Sequence, residues 1–167
     1  METRVDFRQV IPQALKLMLQ FEPYLRQCGL ETRLLNLVCM RASQINGCAY
    51  CLDMHSKDAR AEGETEQRLY ALDAWAETPF FSERERAALL WTEAVTLVKD
   101  GHVSDPVYES VRRQFSSEEL ANLTIAVTQI NSWNRLNIAF RTVPGGYQPG
   151  MFHTHQRQAQ TRQDASH

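Results

Sequence analysis

Arg41-Ala-Ser-Gln-Ile-Asn-Gly-Cys-Ala-Tyr-Cys-Leu-Asp-Met-His55 is the stretch on which the reading of this chain turns. A helical run enters it with Leu34, Val38, Arg41 and Ile45 on one face, and Asn46-Gly47 then breaks the helix. A second helix resumes near Cys48 and extends to about Glu62, stopping at Gly63. The break puts Cys48 in the first turn of the new helix. There, unpaired backbone N–H groups and the helix dipole stabilise a thiolate and lower its pKa from the free value of about 8.5. Cys51 lies one turn further in, and His55, four residues on, shares its face. An imidazole so placed is positioned to take the Cys51 proton. Two thiols at this spacing can also close into a disulfide within one turn of chain. The pattern predicts a thiol redox centre in which Cys51 attacks a peroxide or disulfide and Cys48 resolves the product.

Outward from that centre the periodicity is helical almost throughout. Pro12 opens a helix running to about Gln20, and a short helical turn follows Pro23 and stops at Gly29. A helix over Glu31 to Gln44 leads into the break. Beyond Gly63, Glu64 to Ala76 reads as helix, closed by Thr78-Pro79. Ser82-Glu-Arg-Glu85 and Ser116-Ser-Glu-Glu119 are capping boxes, opening helices to about Lys99 and Phe140. Asp105-Pro106 reads as a cap and first-turn proline for a helix to about Gln114. Residues 144–150, Pro-Gly-Gly-Tyr-Gln-Pro-Gly, form a loop. No strand pattern and no internal repeat stand out, so the fold class is all-α. Residues 1–150 read as a single domain. The polar tail, 151–167, is expected to be mobile unless a neighbouring subunit holds it.

The 167-residue chain is long enough to bury a core without staples. A formal net charge of -2 with scattered basic residues gives no reason to expect nucleic acid or an anionic membrane surface as partner. No apolar run approaches the ~20 residues of a spanning helix, and Met1-Glu-Thr-Arg-Val-Asp6 carries no signal-peptide pattern. The expected location is cytoplasmic, where a Cys-x-x-Cys is catalytic or metal-binding more often than a staple.

Other chemistries weigh against the redox centre. Zinc would find Cys48, Cys51 and His55 but wants a fourth ligand; His102, His153 and His155 lie far along the chain. Haem attachment needs His directly after the second cysteine, where Leu52 stands. A thioredoxin-like fold needs a βαβ pattern that is missing. No cofactor and no metal are expected. Cys28 and Cys39 read as small buried hydrophobes. Trp75, Trp91 and Trp133 read as core or subunit-contact residues. Asn131, Asn134 and Arg135 read as a hydrogen-bonded packing network inside an apolar helix. His153-Thr-His155 reads as part of the polar tail.

With this all-helical context, the chain resembles the AhpD-like alkylhydroperoxidase family of the carboxymuconolactone decarboxylase superfamily. The likeness covers roughly Pro12 to Gly150. Four segments carry it: Arg41 to Arg60, Phe81-Ser-Glu-Arg-Glu-Arg-Ala-Ala-Leu89, Phe115-Ser-Ser-Glu-Glu-Leu120 and Ile130-Asn-Ser-Trp-Asn-Arg-Leu136. The resemblance implies a bundle of about six to eight helices and an antioxidant thiol enzyme. Cys51 would attack a small-molecule hydroperoxide, Cys48 would resolve it as a disulfide, and His55 would belong to a proton relay. It further implies a homo-oligomer, trimer or hexamer, recycled by a thiol or lipoyl-bearing protein reductant.

The chain departs from that pattern twice. The family relay begins with a glutamate twelve residues before the first cysteine, where this chain has Asn36. A histidine that some members carry just before the second cysteine is Tyr50 here, a poor base at neutral pH. Asp58, one turn beyond His55, is a candidate to orient the imidazole, although a solvated surface aspartate explains it as well. Gln44 and Ser43 could donate hydrogen bonds near the site. Two alternatives stay open: a non-redox decarboxylase or lactone-processing enzyme of the same superfamily, and a redox-sensing or zinc-binding module.

Overall fold

The structure, a computed structural model, describes residues 2–151. The described residues form an all-α bundle without strands. In chain order the helices are α1 (Phe7–Val10), α2 (Pro12–Leu19), α3 (Phe21–Gln27), α4 (Thr32–Asn46), α5 (Ala49–Ala61) and α6 (Glu66–Ala71). A 3₁₀ helix, Leu72–Glu77, leads to α7 (Glu83–Thr96), α8 (Val98–Gly101), α9 (Asp105–Val111) and α10 (Ser117–Phe140). None is long and apolar enough to cross a membrane. The expected tail beyond Met151, including His153 and His155, lies outside the described residues.

Several helices begin where a side chain satisfies the first backbone donors. Ser82 and Ser116 form complete capping boxes with Glu85 and Glu119. The N-cap position of α9 is Ser104 rather than Asp105, without a side-chain capping bond; Asp105 becomes the first helical residue, so Pro106 still falls in the first turn. Pro23 sits inside the first turn of α3 instead of preceding it, and α3 therefore starts at Phe21. The segment expected as one helix over 64–76 tightens into the 3₁₀ turn, with Ala74 off helical angles. The long helix from Ser82 breaks at Leu97.

Helix α4 is the axis of the bundle and packs against α5, α7 and α10. On one side, Leu34 and Val38 meet Ala88 and Trp91 of α7 and Leu123 and Val127 of α10. On the other, Leu37 and Met40 meet Ala59 of α5, Leu72, Trp75 and Leu89. A third cluster joins Ala42, Cys48, Cys51 and Ile130, so the cysteine pair is part of the core.

The turn from α4 into α5 is a Schellman closure. The Cys48 N–H donates to the Ser43 carbonyl (3.0 Å) and the Gly47 N–H to that of Gln44 (3.1 Å). Gly47 is left-handed, at φ 68° and ψ 35°. Side-chain amides then tie this turn to α10. Asn46 donates to the Oδ1 atoms of Asn131 (3.0 Å) and Asn134 (2.8 Å), and Asn134 donates to Ser43 Oγ (3.0 Å). Asn131 in turn donates to Thr96 of α7 and receives a bond from Arg135. These asparagines are the hydrogen-bonded packing network read from the sequence.

Two stability changes follow from this turn. A Cβ on Gly47 would meet nothing within 4 Å, so Gly47→Ala carries only the left-handed backbone cost, about 1–2 kcal/mol. Thermal unfolding should fall by several degrees. Asn134 is fully buried, and Asn134→Ala takes away the donor to the buried Ser43 hydroxyl and one of the two acceptors of the Asn46 amide, which keeps Asn131. It should cost about 2–4 kcal/mol in urea unfolding.

Candidate active site

Cys48 occupies the N-cap of α5, in extended backbone, because the Schellman turn ends immediately before it. Its sulfur accepts the Cys51 N–H at 3.3 Å, the capping bond usually made by a serine or aspartate oxygen. Cys51 follows as the third helical residue. The two sulfurs are joined as a disulfide, with Cα atoms 5.3 Å apart. Both cysteines are shut from the outer surface, at 1% exposure. From α10, Asn137 donates to the Cys51 sulfur at 3.6 Å.

A cavity of about 150 Å³ lies against Cys51. Cys48 is absent from its lining, being turned toward the helix end. Apolar walls come from Leu15 and Leu19 of α2, Leu25 of α3, Leu35 of α4, and Ile130 and Trp133 of α10. The polar part includes Asn36, His55, Asn137 and Glu22, with Arg8, Arg26 and Asp58 also on the lining. Both ring nitrogens of His55 are buried and have no protein partner. Burial alone holds the imidazole down from 6.5 to about 4, so it is neutral at neutral pH. Asn36 Nδ2 and Asn137 Oδ1 are likewise without partners. The four atoms surround one space, which suits a small ligand with an apolar body and a polar head.

The supporting candidates divide. Tyr50 lines the cavity, under the Arg8 guanidinium, and burial raises its phenol. Asp58 does not orient His55: its carboxylate accepts the Tyr147 hydroxyl at 2.7 Å. Nor is it a free surface aspartate, since Tyr147 is buried. The loop over 144–150 is held there by Lys57, which donates to the carbonyls of Gly145 and Tyr147, while Gly145 donates to Asp53. Lys57 in turn holds the Asp53 carboxyl below its ordinary range. Gln44 faces away from the cavity and accepts from Arg41, which also pairs with Glu93 and Asp73. Ser43 belongs to the Asn134 bond.

The remaining thiols and indoles pack. Cys28 donates to the Leu25 carbonyl, and burial pushes the Cys39 thiol up, making it a poor nucleophile. Trp75 and Trp91 are core residues bonded to Glu93 and Thr124; Trp133 is a cavity wall. No cluster of three His, Cys, Asp or Glu side chains able to hold a metal ion forms among the described residues.

Glu22 is the residue the sequence reading passed over. Burial raises its carboxyl above the ordinary range, while Arg26 and the Trp133 indole pull it back. The signal was present. Leu15, Leu19, Glu22 and Leu25 recur at helical spacing across α2 and α3, which puts an acid on an apolar stripe.

The carboxymuconolactone decarboxylase family model matches residues 12–94. YdfG, an uncharacterized protein of Bacillus subtilis (strain 168), is 43% identical over 139 residues, which is 83% of this chain and 95% of YdfG. A crystal structure of an Agrobacterium tumefaciens protein of unknown function, proposed as the antioxidant defence protein AhpD, superposes with a TM-score of 0.84 at 39% identity. That match spans 87% of this chain and all of the other. A variant of the debrominase Bmp8, in complex with 2,3,4-tribromopyrrole, shares the fold alone: TM-score 0.74, 19% identity, 83% of this chain and 74% of that one.

The buried His55 makes stability depend on pH. Between 6.5 and about 4 the unfolded imidazole takes a proton that the folded one refuses, so stability falls as pH falls through that window. The loss amounts to about 3 kcal/mol at its lower end. Glu22 acts in the opposite sense, because its raised carboxyl favours the folded state at low pH. Urea unfolding at stepped pH should show the acid loss, and His55→Asn should flatten it.

Proposed function

We propose that this chain, which belongs to the carboxymuconolactone decarboxylase family as an AhpD-like member, is a thiol enzyme that reduces small organic hydroperoxides through Cys51 and Cys48. The observation that carries the proposal is the asymmetry of the pair. Cys51 faces the cavity and its partnerless polar atoms, whereas Cys48 does not. A substrate in the cavity therefore meets Cys51 first.

In the reduced protein the Cys51 thiolate attacks the outer oxygen of the hydroperoxide. The O–O bond breaks, an alcohol leaves, and Cys51 becomes a sulfenic acid. Cys48 attacks that sulfur, water departs and the disulfide forms. A dithiol, the kind of group a lipoyl-bearing protein presents, then returns the pair to thiols. The Asn137 amide bond to Cys51 and the helix N-terminus beneath both sulfurs stabilise the developing thiolate. The neutral His55 can donate to one substrate oxygen and accept from another. The apolar walls favour an organic hydroperoxide over a charged one.

Assembly as a homo-oligomer fits the exposed apolar side chains of Leu17, Phe21 and Tyr24 and of Ile125 on α10. A cytoplasmic setting, where the pair can be reduced again, suits the chemistry.

The test is intact-mass analysis of reduced protein after one equivalent of an organic hydroperoxide, with the remaining thiols alkylated and mapped. Two of the four thiols should be lost, as a Cys48–Cys51 disulfide. Cys51→Ser should consume no hydroperoxide. Cys48→Ser should consume one equivalent and stop at the sulfenic acid. Four thiols still alkylated, with the oxidant unspent, would overturn the proposal.

A further inference from the structure

The proton on the Cys51 thiol needs somewhere to go. Asn36, standing where the family relay has its glutamate, cannot take it. His55, held near 4, cannot keep it at neutral pH. Asp58 is occupied by the Tyr147 hydroxyl. Tyr50 and Cys39 already hold protons that burial strengthens. The carboxylate that remains on the cavity wall is Glu22, on α3 rather than α4.

The cavity gives a path. Asn36 Nδ2, both His55 nitrogens and Asn137 Oδ1 are buried, partnerless, and all on residues lining the space that also touches Cys51 and Glu22. Buried polar atoms are almost always paired, and a space of about 150 Å³, apolar-walled but with these polar groups on its lining, has room for several waters beside them. Water or substrate there completes the bonds those atoms lack and links the thiol to the carboxylate.

We propose that Glu22 receives the Cys51 proton across the His55-lined cavity and returns it to the departing alkoxide, in place of the relay glutamate absent at Asn36. The inference rests on Cys51 being the attacking thiol. The Cys51 S–H bond breaks, and its proton makes Glu22 a neutral carboxylic acid. The thiolate attacks the hydroperoxide and the O–O bond breaks. The alkoxide then takes the proton from Glu22 and leaves as the alcohol, which restores the carboxylate. A carboxyl raised toward neutrality is suited to both halves of the exchange. Around it, Arg26 and the Trp133 indole favour the charged form and Asp58 the neutral one; Arg8 also lines the cavity, and His55, Cys39, Tyr50 and Tyr147 line the same region and are uncharged at neutral pH.

The experiment uses the reduced full-length chain and no hydroperoxide. Iodoacetamide alkylation of Cys51 is followed by peptide mapping across pH, for wild type, Glu22→Gln and Glu22→Asp. Wild type should show a rise in rate as pH passes the raised Glu22 value. Glu22→Gln should lose that limb, react at least about tenfold more slowly at neutral pH, and follow an ordinary thiol. Glu22→Asp should recover part of the rate. A folded Glu22→Gln protein with the wild-type profile would overturn the proposal. An infrared difference spectrum of wild type, dithiol minus disulfide, with ¹³C-labelled glutamate, guards against a variant that does not fold. A labelled carboxylic-acid band should appear on reduction, and its absence would count equally against Glu22. If alkylation depends on Glu22 while hydroperoxide stays unspent, the proton path stands and the hydroperoxide assignment falls.

Discussion

The left-handed residue at Gly47 and the two backbone bonds that close α4 around it set the position of everything in the site. Because the Cys48 N–H is spent on the Ser43 carbonyl, the chain leaves α4 and enters α5 across two residues, Gly47 and Cys48. Cys48 becomes an N-cap by that geometry, and Cys51 and His55 follow at one-turn intervals on the α5 face that looks toward α10 and the cavity. The Asn46–Asn131–Asn134–Ser43 amides keep the turn from swinging. Polar groups buried this deeply are costly unless every one is paired, so the network specifies one position for the turn and disfavours the alternatives.

The same helix carries the rest of the framework. On α4, Arg41 reaches Glu93 of α7 and Asp73 of the 3₁₀ turn, and Trp75 shares the Glu93 carboxylate. Leu34 and Val38 face one cluster while Leu37 and Met40 face another. A helix with core on two sides has little freedom to shift. The reactive pair is thus mounted on a rigid base, while the cavity walls come from the shorter helices α2 and α3.

Chemically, the site sets the thiol beside a desolvated imidazole and a desolvated carboxyl, with Arg8, Arg26 and Asp58 also on the same cavity lining. The imidazole is neutral because it is desolvated and has no counter-charge to hold a proton in place. Glu22 feels the same desolvation with opposite consequence, since burial favours its protonated form. Two titratable groups moved in opposite directions across one apolar space leave both uncharged more readily than in water. Such a space favours an uncharged oxidant, and moving one proton between thiol and carboxylate leaves its net charge unchanged.

The all-helical character, the main helices, the two capping boxes, the break at Asn46-Gly47 and the placement of Cys48 at a helix start could be read from the sequence, because each depends on neighbours within one or two turns of chain; the short α1, the 3₁₀ turn after α6 and the break at Leu97 could not. The pairing of Cys48 with Cys51 is local in the same way. Whether Asp58 meets His55 or Tyr147, whether Gln44 points to the cysteines or to Arg41, and which carboxylate faces the thiol were decided by packing. Tyr147 lies 89 residues from Asp58 and arrives on a loop that Lys57 and Asp53 hold in place. Glu22 reaches the cavity only because α3 folds back against α10. Short-range periodicity fixes which side of a helix a residue occupies. The desolvation that sets what His55 and Glu22 can do comes from helices distant in sequence, so the chain alone determined the motif and the tertiary structure determined its chemistry.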